Sequence, residues 1–254
     1  MSASVHLSIV SHRQAPLVSS LLADIAAFGD STELQLTVLS NLPEAAPVVP
    51  VELAGKLEHI TNDKPAGFGA NHNKVFNRSN APYFCVLNPD LRLPHNPFPQ
   101  LLSVFADERV ALAAPAACDG DGKMQDNARL LPTPWRIASK LWSRAGGSDY
   151  PANVAIAYPD CVAGFFMLLR SSAYRALDGF DERYFLYYED FDLCSRIRLA
   201  GWKNAWLPGV KIVHHARRKS HGDLRYLIVH ARSVARFFSS PVYRAARRLA
   251  LPTG

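Results

Sequence analysis

The hydrophobic and polar positions of this chain follow two periods, and the order in which these periods occur predicts an α/β fold. Short β-branched runs predict strands, and segments with apolar residues every three or four positions predict helices. The first ninety residues give the order strand, helix, strand, strand, helix, strand. The predicted strands are Val5–Val10, Leu34–Leu39, Leu57–Ile60 and Tyr83–Leu87, and the predicted helices are Leu17–Phe28 and Ala70–Asn77. This order is typical of a mostly parallel central sheet with helices on both faces.

The same pattern continues through the rest of the chain, with longer gaps between the elements. Further strands are predicted at Val110–Ala117, Cys161–Leu169 and Lys211–Val213, and further helices at Trp135–Trp142, Ser171–Leu177, Asp190–Ala200 and Arg225–Phe238. The apolar run Cys161–Leu169 is far shorter than the roughly 20 residues of a membrane-spanning helix, so it predicts a buried strand. No repeat or linker divides the pattern. We therefore expect a single domain over residues 1–215 and a helical extension over residues 216–254.

Composition places the chain among ordinary globular proteins, but its charge is unevenly distributed. Hydrophobic residues make up 48% of the chain and charged residues 20%, and the net charge is +6. From residue 211 onwards, ten Lys or Arg residues stand against the single acid Asp223. The four cysteines form no CxxC pair, which indicates structural thiols in a reducing compartment. No basic segment precedes an apolar run near the amino terminus, so we expect no signal peptide and a cytoplasmic location.

The basic carboxyl-terminal segment favours an anionic partner. Nucleic acid is not predicted, because the segment has no recognised reader motif and the acid-rich stretch Asp181–Asp192 would repel a polyanion. Leu224–Phe238 combines apolar positions with arginines, a pattern typical of helices that lie at an anionic membrane surface. Peripheral attachment to the inner face of the plasma membrane is therefore one interpretation. The alternative is that this helix packs on the domain and its arginines are only solvated.

Polar side chains follow the predicted strands directly. They are Ser11, His12, Asn41, Asn62, Asn88 and Asp90. In open α/β sheets ligands bind outside the carboxyl ends of the strands, so these residues predict a binding crevice. Asn88 and Asp90 stand two apart and can face one divalent cation such as Mg²⁺, although Asn-Pro-Asp is also a common turn. His214 follows the last strand and can complete a metal shell, or be a solvated or core histidine.

The stretch Gly179–Leu193 is dense in acids and aromatic residues. Its acids are Asp181, Glu182, Glu189, Asp190 and Asp192. Aromatic neighbours can raise the proton affinity of a carboxylate, as a general base requires, and they stack on sugar faces. The alternative is that the last three acids oppose the dipole of a helix that begins here.

Several of these segments together resemble glycosyltransferase family 2. The resemblance is most specific in Phe180–Leu193, which is followed by Arg196 and Ala200-Gly201-Trp202. Weaker pieces in the family's order are Leu7–His12, Asn62–Asn73, Leu87–Asp90 and Pro208–His214. The resemblance covers about residues 5–238. It implies a single GT-A-like domain that binds a nucleotide sugar and transfers the sugar with inversion.

The resemblance also implies a role for individual residues. Asp190 would be the general base, and Asn88, Asp90 and His214 would hold Mg²⁺ or Mn²⁺ at the donor diphosphate. The residues implied on the nucleotide side are Ser11, His12, Asn41, Asn62, Gly67, Phe68 and Asn71. The residues implied to bind sugar or acceptor are Asp181, Glu182, Glu189, Asp192 and Trp202.

Within the family, Gly67–Phe76 and His214–Phe238 resemble the bacterial rhamnosyltransferases. This implies L-rhamnose from dTDP-rhamnose as the donor sugar, and a cell-surface polysaccharide or lipid-linked acceptor. The alternatives are another donor, such as galactofuranose or an N-acetylhexosamine, or a non-catalytic binding protein. Two positions depart from the family: Ser40–Pro43 lacks the usual base-contacting acid, and the metal motif begins with Asn88 rather than an acid.

Overall fold

An eight-stranded mixed sheet forms the centre of the protein. The computed structural model describes residues 4–29, 32–136, 149–215 and 224–250. The strands are β1 (Ser4–Ser11), β2 (Glu33–Ser40), β3 (Leu57–Thr61), β4 (Tyr83–Leu87), β5 (Leu91–Arg92), β6 (Val110–Cys118), β7 (Ala128–Arg129), β8 (Cys161–Val162), β9 (Phe166–Arg170) and β10 (Lys203–His214). The large sheet has the order β3-β2-β1-β4-β9-β6-β10-β5, and β7 pairs separately with β8.

Helices cover both faces of this sheet. They are α1 (Ala15–Ala26), α2 (Phe68–Phe76), α3 (Phe98–Ser103), α4 (Ser171–Ala176), α5 (Glu189–Leu199), α6 (Leu224–Ser239) and α7 (Pro241–Ala250), with short 3₁₀ turns at Val51–Leu53 and Val104–Ala106. Helices α1 and α3 pack in one core, and α2, α4 and α5 pack in a second core on the other face. Successive residues of β4 alternate between the two cores, because side chains of a strand point to opposite faces.

The direction of the strands explains where a binding site can form. Strands β1, β2, β3 and β4 run parallel, so their carboxyl ends lie at one edge. Strand β9 pairs antiparallel with both β4 and β6, which makes the sheet mixed. The residues that follow the four parallel strands therefore meet at the edge where α/β proteins bind ligands.

Most of the predicted elements are confirmed within a few residues, two predictions need correction, and one helix was missed. The predicted strand Cys161–Leu169 is wrong as a single element, because β8 ends at Val162 and β9 begins at Phe166, with Gly164 between them. The strand predicted at Lys211–Val213 is the end of the longer β10, which contains a register shift between Leu207 and Lys211. Helix α7 was not predicted. The predicted helix Trp135–Trp142 lies mostly outside the described residues.

The carboxyl-terminal helices pack on the domain through a third, smaller core. Phe237 of α6 and Tyr243 and Ala246 of α7 are buried against Tyr184 and Leu131. Proline stands at the first position of α7, where its missing N–H costs no helical hydrogen bond. All four cysteines are free and buried. None of the helices in the described ranges is long and apolar enough to cross a membrane.

Candidate functional site

A cavity of about 460 Å³ opens where the acid- and aromatic-rich stretch meets the carboxyl end of β4. The described residues that line it come from seven separate parts of the chain. They are Phe68, Asn88, Asp126, Arg129, Leu130, Pro132, Arg136, Asp149, Ala163, Gly164, Phe165, Leu186, Tyr187, Tyr188, Glu189, Asp190, Phe191 and His230. This volume suits a small polar ligand such as a sugar.

Asp190 presents its carboxylate to this cavity from the first turn of α5. The backbone N–H of Phe191 donates to Asp190 Oδ1 at 2.8 Å, and that of Gly164 donates to Oδ2 at 3.2 Å. Burial raises the pKa of Asp190, while the charge of Arg129 and these two N–H groups act in the opposite direction. A buried carboxylate whose ionised form is stabilised by nearby positive charge and N–H donors suits a general base.

Glu189, the preceding residue, has a different environment. Its side chain is buried, and burial together with the neighbouring Asp190 raises its pKa well above the usual range. Its Oε2 has no hydrogen-bond partner among the described residues. Glu189 therefore favours the protonated form, because unlike Asp190 its carboxyl group has no charged partner or N–H donor among the described residues that offsets the burial of Oε2.

The turn before α5 has an uncommon backbone conformation. Tyr187 and Tyr188 both have positive φ, at 71° and 69°, which costs on the order of 1–3 kcal/mol for each non-glycine residue. Contacts from α6 hold this turn: Ser233 Oγ donates to the Leu186 carbonyl at 2.8 Å, and His230 packs edge-to-face on Tyr187. Helix α6 therefore forms one wall of the cavity and holds the turn that positions Asp190.

Asp90 and His214 lie together beside this cavity. Strand β5, directly after Asp90, pairs with the end of β10, so His214 Nε2 lies 3.6 Å from Asp90 Oδ1. The His214 ring stacks on Phe165, with 4.2 Å between ring centroids. Burial lowers the pKa of His214, although the Asp90 charge acts against this shift. The imidazole is therefore neutral near pH 7 and able to bind a cation.

These residues fit a divalent cation as a partial ligand set. Within the ranges that the structure describes, no three His, Cys, Asp or Glu side chains form a complete metal-binding group. Asp90 and the amide of Asn88 offer oxygen ligands, which suit Mg²⁺ and Mn²⁺, and His214 offers an imidazole nitrogen, a common metal ligand. Mg²⁺ in particular is usually held by one or two carboxylates, with substrate phosphates and water as further ligands. A cation bound by this partial set would need further ligands, such as substrate phosphates or water.

The amide side chains on the nucleotide side form a closed hydrogen-bond network. Asn41 Nδ2 donates to His12 Nδ1 and to the Ala66 carbonyl, and Asn41 Oδ1 accepts from Ala66 N and Asn62 Nδ2. Asn62 also donates to Asn71 Oδ1. The Asn41 amide is thus fully occupied within the protein, and the network fixes the loop that precedes α2.

Three other nucleotide-side residues also make contacts within the protein. Ser11 is buried, and its Oγ accepts from Gln14 N at 3.1 Å at the start of α1. Gly67 is buried so close to the chain at Phe185 that a Cβ atom would lie 2.9 Å from Phe185 Cα. Phe68 lines the cavity, and its N–H donates to the Phe185 carbonyl at 2.8 Å. His12 is exposed.

Four of the predicted sugar- or acceptor-binding residues lie away from the cavity lining. Asp181 pairs with Arg183, and Glu182 Oε1 accepts from Asn73 Nδ2 at 3.0 Å. Asp192 accepts from Arg196 Nε at 2.7 Å. Trp202 packs on the second core. Of the five predicted residues, the structure brings only Glu189 to the cavity beside Asp190.

Two residues at the site escaped prediction from the sequence. Arg129 lines the cavity, and its Nε donates to the Asp126 carbonyl at 2.8 Å. Gln125 contacts both the ring and the backbone of His214. Both lie between β6 and β8, about 60 residues from Asp190 in sequence, with Gln125 in a loop and Arg129 at the end of the short strand β7. Nothing in their local sequence pattern marks them, because only the fold brings them to the site.

Sequence comparison connects the chain to enzymes that transfer sugars. Residues 44–176 match the family described as Glycosyl transferase family 2. The N-acetylglucosaminyl-diphospho-decaprenol L-rhamnosyltransferase of Mycobacterium tuberculosis is 28% identical over 173 residues, which are 61% of this chain and 54% of that protein. The rhamnosyltransferase WbbL of Escherichia coli is 26% identical over 223 residues, covering 84% of this chain and 83% of WbbL. The chain thus spans about half the length of the mycobacterial relative.

Solved structures share the fold at low sequence identity. GalNAc-T7 with UDP, GalNAc and Mn²⁺ superposes with a TM-score of 0.62 at 12% identity, over 87% of this chain and 44% of that chain. The mannosyltransferase PcManGT from Pyrobaculum calidifontis, in complex with GDP-Man and Mn²⁺, superposes with a TM-score of 0.60 at 15% identity, over 100% of this chain and 76% of that chain. These likenesses confirm the predicted GT-A-like α/β fold.

Proposed function

Because this chain belongs to glycosyl transferase family 2, we propose that it is an inverting glycosyltransferase that uses a nucleotide sugar. The observation that carries this proposal is the Asp190 carboxylate, held by two backbone N–H groups at a sugar-sized cavity. Asn88 lines the same cavity, so the proposed base and the proposed diphosphate side lie around one space.

The proposed reaction is a single displacement. Asp190 accepts the proton of an acceptor hydroxyl, and the hydroxyl oxygen forms a bond to the anomeric carbon of the donor. The bond between that carbon and the diphosphate oxygen breaks, and the nucleoside diphosphate leaves with the electron pair. Attack from the face opposite the leaving group inverts the anomeric configuration. Glu189, which favours its protonated form, can donate a hydrogen bond to a sugar hydroxyl in the cavity.

Asn88, Asp90 and His214 are the residues that would hold Mg²⁺ or Mn²⁺ at the donor diphosphate. When bound there, the cation supplies positive charge that stabilises the departing diphosphate. The two solved structures of similar fold are both complexes with Mn²⁺, which supports the proposal. The nucleotide would lie along the loops after β1, β2 and β3, where His12 and Phe68 offer side chains beside the closed amide network.

For the sugar we propose L-rhamnose, supplied as dTDP-rhamnose. Both curated relatives are named as rhamnosyltransferases, and WbbL aligns over most of its length with this chain. The proposed acceptor is a lipid-linked or cell-surface glycan, since the mycobacterial relative is named for a diphospho-decaprenol acceptor. A donor with galactofuranose or an N-acetylhexosamine would use the same chemistry and is the alternative.

The experiment is a donor panel. The protein is incubated with Mg²⁺, one nucleotide sugar at a time and a bacterial lipid extract as the source of acceptor, and released nucleoside diphosphate is measured. We expect release with dTDP-rhamnose above the other donors, and loss of release in Asp190→Asn. Release from another donor would change the sugar and keep the enzyme class. Failure with every donor, or equal release by Asp190→Asn, would remove the proposed function.

We also propose that residues 1–215 form the main body of the catalytic domain in the cytoplasm, and that the extension 216–254, whose helix α6 also lines the cavity through His230, attaches it to the membrane surface. The side chains of Leu227, Ile228 and Leu249 are exposed on α6 and α7. The exposed arginines of the two helices are Arg232, Arg236, Arg244, Arg247 and Arg248. Apolar and basic side chains together favour an anionic lipid surface, at about 1 kcal/mol for each basic residue.

Liposome co-sedimentation tests this attachment. Deleting residues 240–254 would remove the buried Tyr243 and Ala246, so charge substitution is the better variant. We expect Arg244→Gln, Arg247→Gln and Arg248→Gln together to reduce binding to anionic vesicles at low salt, and Arg109→Gln to leave binding unchanged. Equal binding by the triple variant and the wild type would assign these arginines another role.

A further inference from the structure

Gln125 makes two hydrogen bonds to His214, and together they fix how both side chains are oriented. Gln125 Nε2 donates to the His214 backbone carbonyl at 2.8 Å. This bond requires the amide to turn its Oε1 towards the ring, where Oε1 lies 2.8 Å from His214 Nδ1. An amide oxygen only accepts hydrogen bonds, so Nδ1 must carry the proton of the neutral imidazole. The Gln125 backbone is anchored in turn, because its N–H donates to the Ala117 carbonyl at 2.8 Å.

The position of this proton decides what His214 Nε2 can do. If Nε2 carried the proton, a small shift would let it donate a hydrogen bond to Asp90 Oδ1, which is 3.6 Å away. The two side chains would then bind each other rather than a cation. With the proton on Nδ1, Nε2 instead has a lone pair beside the Asp90 carboxylate. Two electron-donating groups so close together repel each other and attract a cation. The stack on Phe165 keeps the ring from turning away.

We propose that Gln125 is a positioning residue for the cation site: it holds His214 in the Nδ1–H tautomer, so that the Nε2 lone pair and the Asp90 carboxylate can both bind a divalent ion. The inference rests on the cation role proposed above for Asp90 and His214. Metal-binding histidines usually donate their second ring N–H to a carboxylate, a backbone carbonyl or water. Here the acceptor is a side-chain amide, whose second bond to the His214 carbonyl prevents it from rotating.

The test uses Mn²⁺ alone and needs no sugar transfer. The His214 tautomer is determined by NMR of ¹⁵N-histidine-labelled protein at a pH where the imidazole is neutral, with the signal assigned by its loss in His214→Asn. Mn²⁺ affinity is measured by electron paramagnetic resonance. We expect an Nδ1–H tautomer in the wild type. In Gln125→Met, the proton should move to Nε2 and Mn²⁺ binding should weaken about 10-fold or more, the usual range for such partners.

Two further variants keep the result interpretable. Gln125→Glu loses the bond to the His214 carbonyl but retains an acceptor for Nδ1–H, so it should keep the tautomer and bind Mn²⁺ within a few-fold of the wild type, even if Gln125→Met does not fold. The exposed Gln100→Met is the matched control and should change neither measurement. An Nε2–H tautomer in the wild type, or unchanged tautomer and affinity in Gln125→Met, would overturn the inference. If Asp90→Ala also leaves Mn²⁺ affinity unchanged, the proposed cation site itself is wrong.

Discussion

Gly67 lies directly against the backbone of Phe185 and joins the nucleotide-side loop to the stretch that carries Asp190. A Cβ atom on Gly67 would stand 2.9 Å from both Phe185 Cα and its carbonyl oxygen, and the next residue, Phe68, donates its N–H to that oxygen. The contact involves backbone on both sides, so neither segment can adjust by a change of rotamer. The two halves of the site are therefore fixed to each other without any charged group.

Gly67→Ala is expected to lower the stability of the fold by about 1–3 kcal/mol, the usual cost of overpacking a tight contact. The added methyl group must push the Phe185 backbone away, and this also displaces the turn before α5. Thermal unfolding measures the loss. Gly55→Ala is the matched control, since a Cβ there would meet no atom within 4 Å. Equal stability of the two variants would show that the close contact has no energetic consequence.

Asp190→Asn is expected to lower kcat by at least about 10²-fold with little change in donor affinity. The amide keeps the size of the side chain but cannot accept the proton of the acceptor hydroxyl, and general acid–base catalysis contributes about this much. Initial rates and calorimetry with the donor measure the two quantities. Activity within a few-fold of the wild type would remove Asp190 from the base role.

Arg129→Gln is expected to move the acid limb of the pH–rate profile to higher pH. Burial raises the pKa of Asp190, and the positive charge of Arg129 acts against that shift. Removing the charge raises the pKa of Asp190 further, so a higher pH is needed before the carboxylate is ionised. The pH dependence of kcat/KM measures this. Arg109→Gln, whose side chain pairs with Asp107 at the start of β6, is the control and should leave the profile in place.

Glu189→Gln is expected to become more stable relative to the wild type as the pH rises above about 4.5, which is the unperturbed pKa of a glutamate side chain. Burial raises the pKa of Glu189 in the folded state, so above this pH the folded protein holds a proton that the unfolded chain has released. Wild-type stability therefore falls with rising pH, by at most about 1.4 kcal/mol per pH unit, and glutamine removes that dependence.

Chemical denaturation measures the difference in stability between the two proteins. It is carried out at several pH values between about 4 and 8, roughly the range in which most proteins are stable. The exposed Glu52→Gln is the control for the loss of a surface carboxylate. A stability difference between Glu189→Gln and the wild type that stays constant with pH would mean that Glu189 is ionised in the folded protein.

The sequence by itself determined the local elements and the kind of chemistry. Strands β1, β2 and β4 and helix α1 have clear periods, because each has one or both faces in a core, and the period reflects that burial. The stretch Phe180–Leu193 also identified the family from its residues alone, and the family match confirms it. The sequence pattern predicted strands less well where the backbone is irregular. Gly164 divides an apolar run into two strands, and Pro208-Gly209 interrupts the strand pattern in the middle of β10.

Only the tertiary structure decided which of the neighbouring acids faces the cavity. Asp190 and Asp192 are two residues apart on one helix, which places them on nearly opposite sides, since each residue of a helix turns the chain by about 100°. Asp190 faces the cavity, whereas Asp192 pairs with Arg196. Arg129 and Gln125 reach the site from the segment between β6 and β8, which is far from Asp190 in sequence. Such contacts depend on how the sheet, helices and loops pack together, and the hydrophobic periodicity of the sequence does not predict this packing.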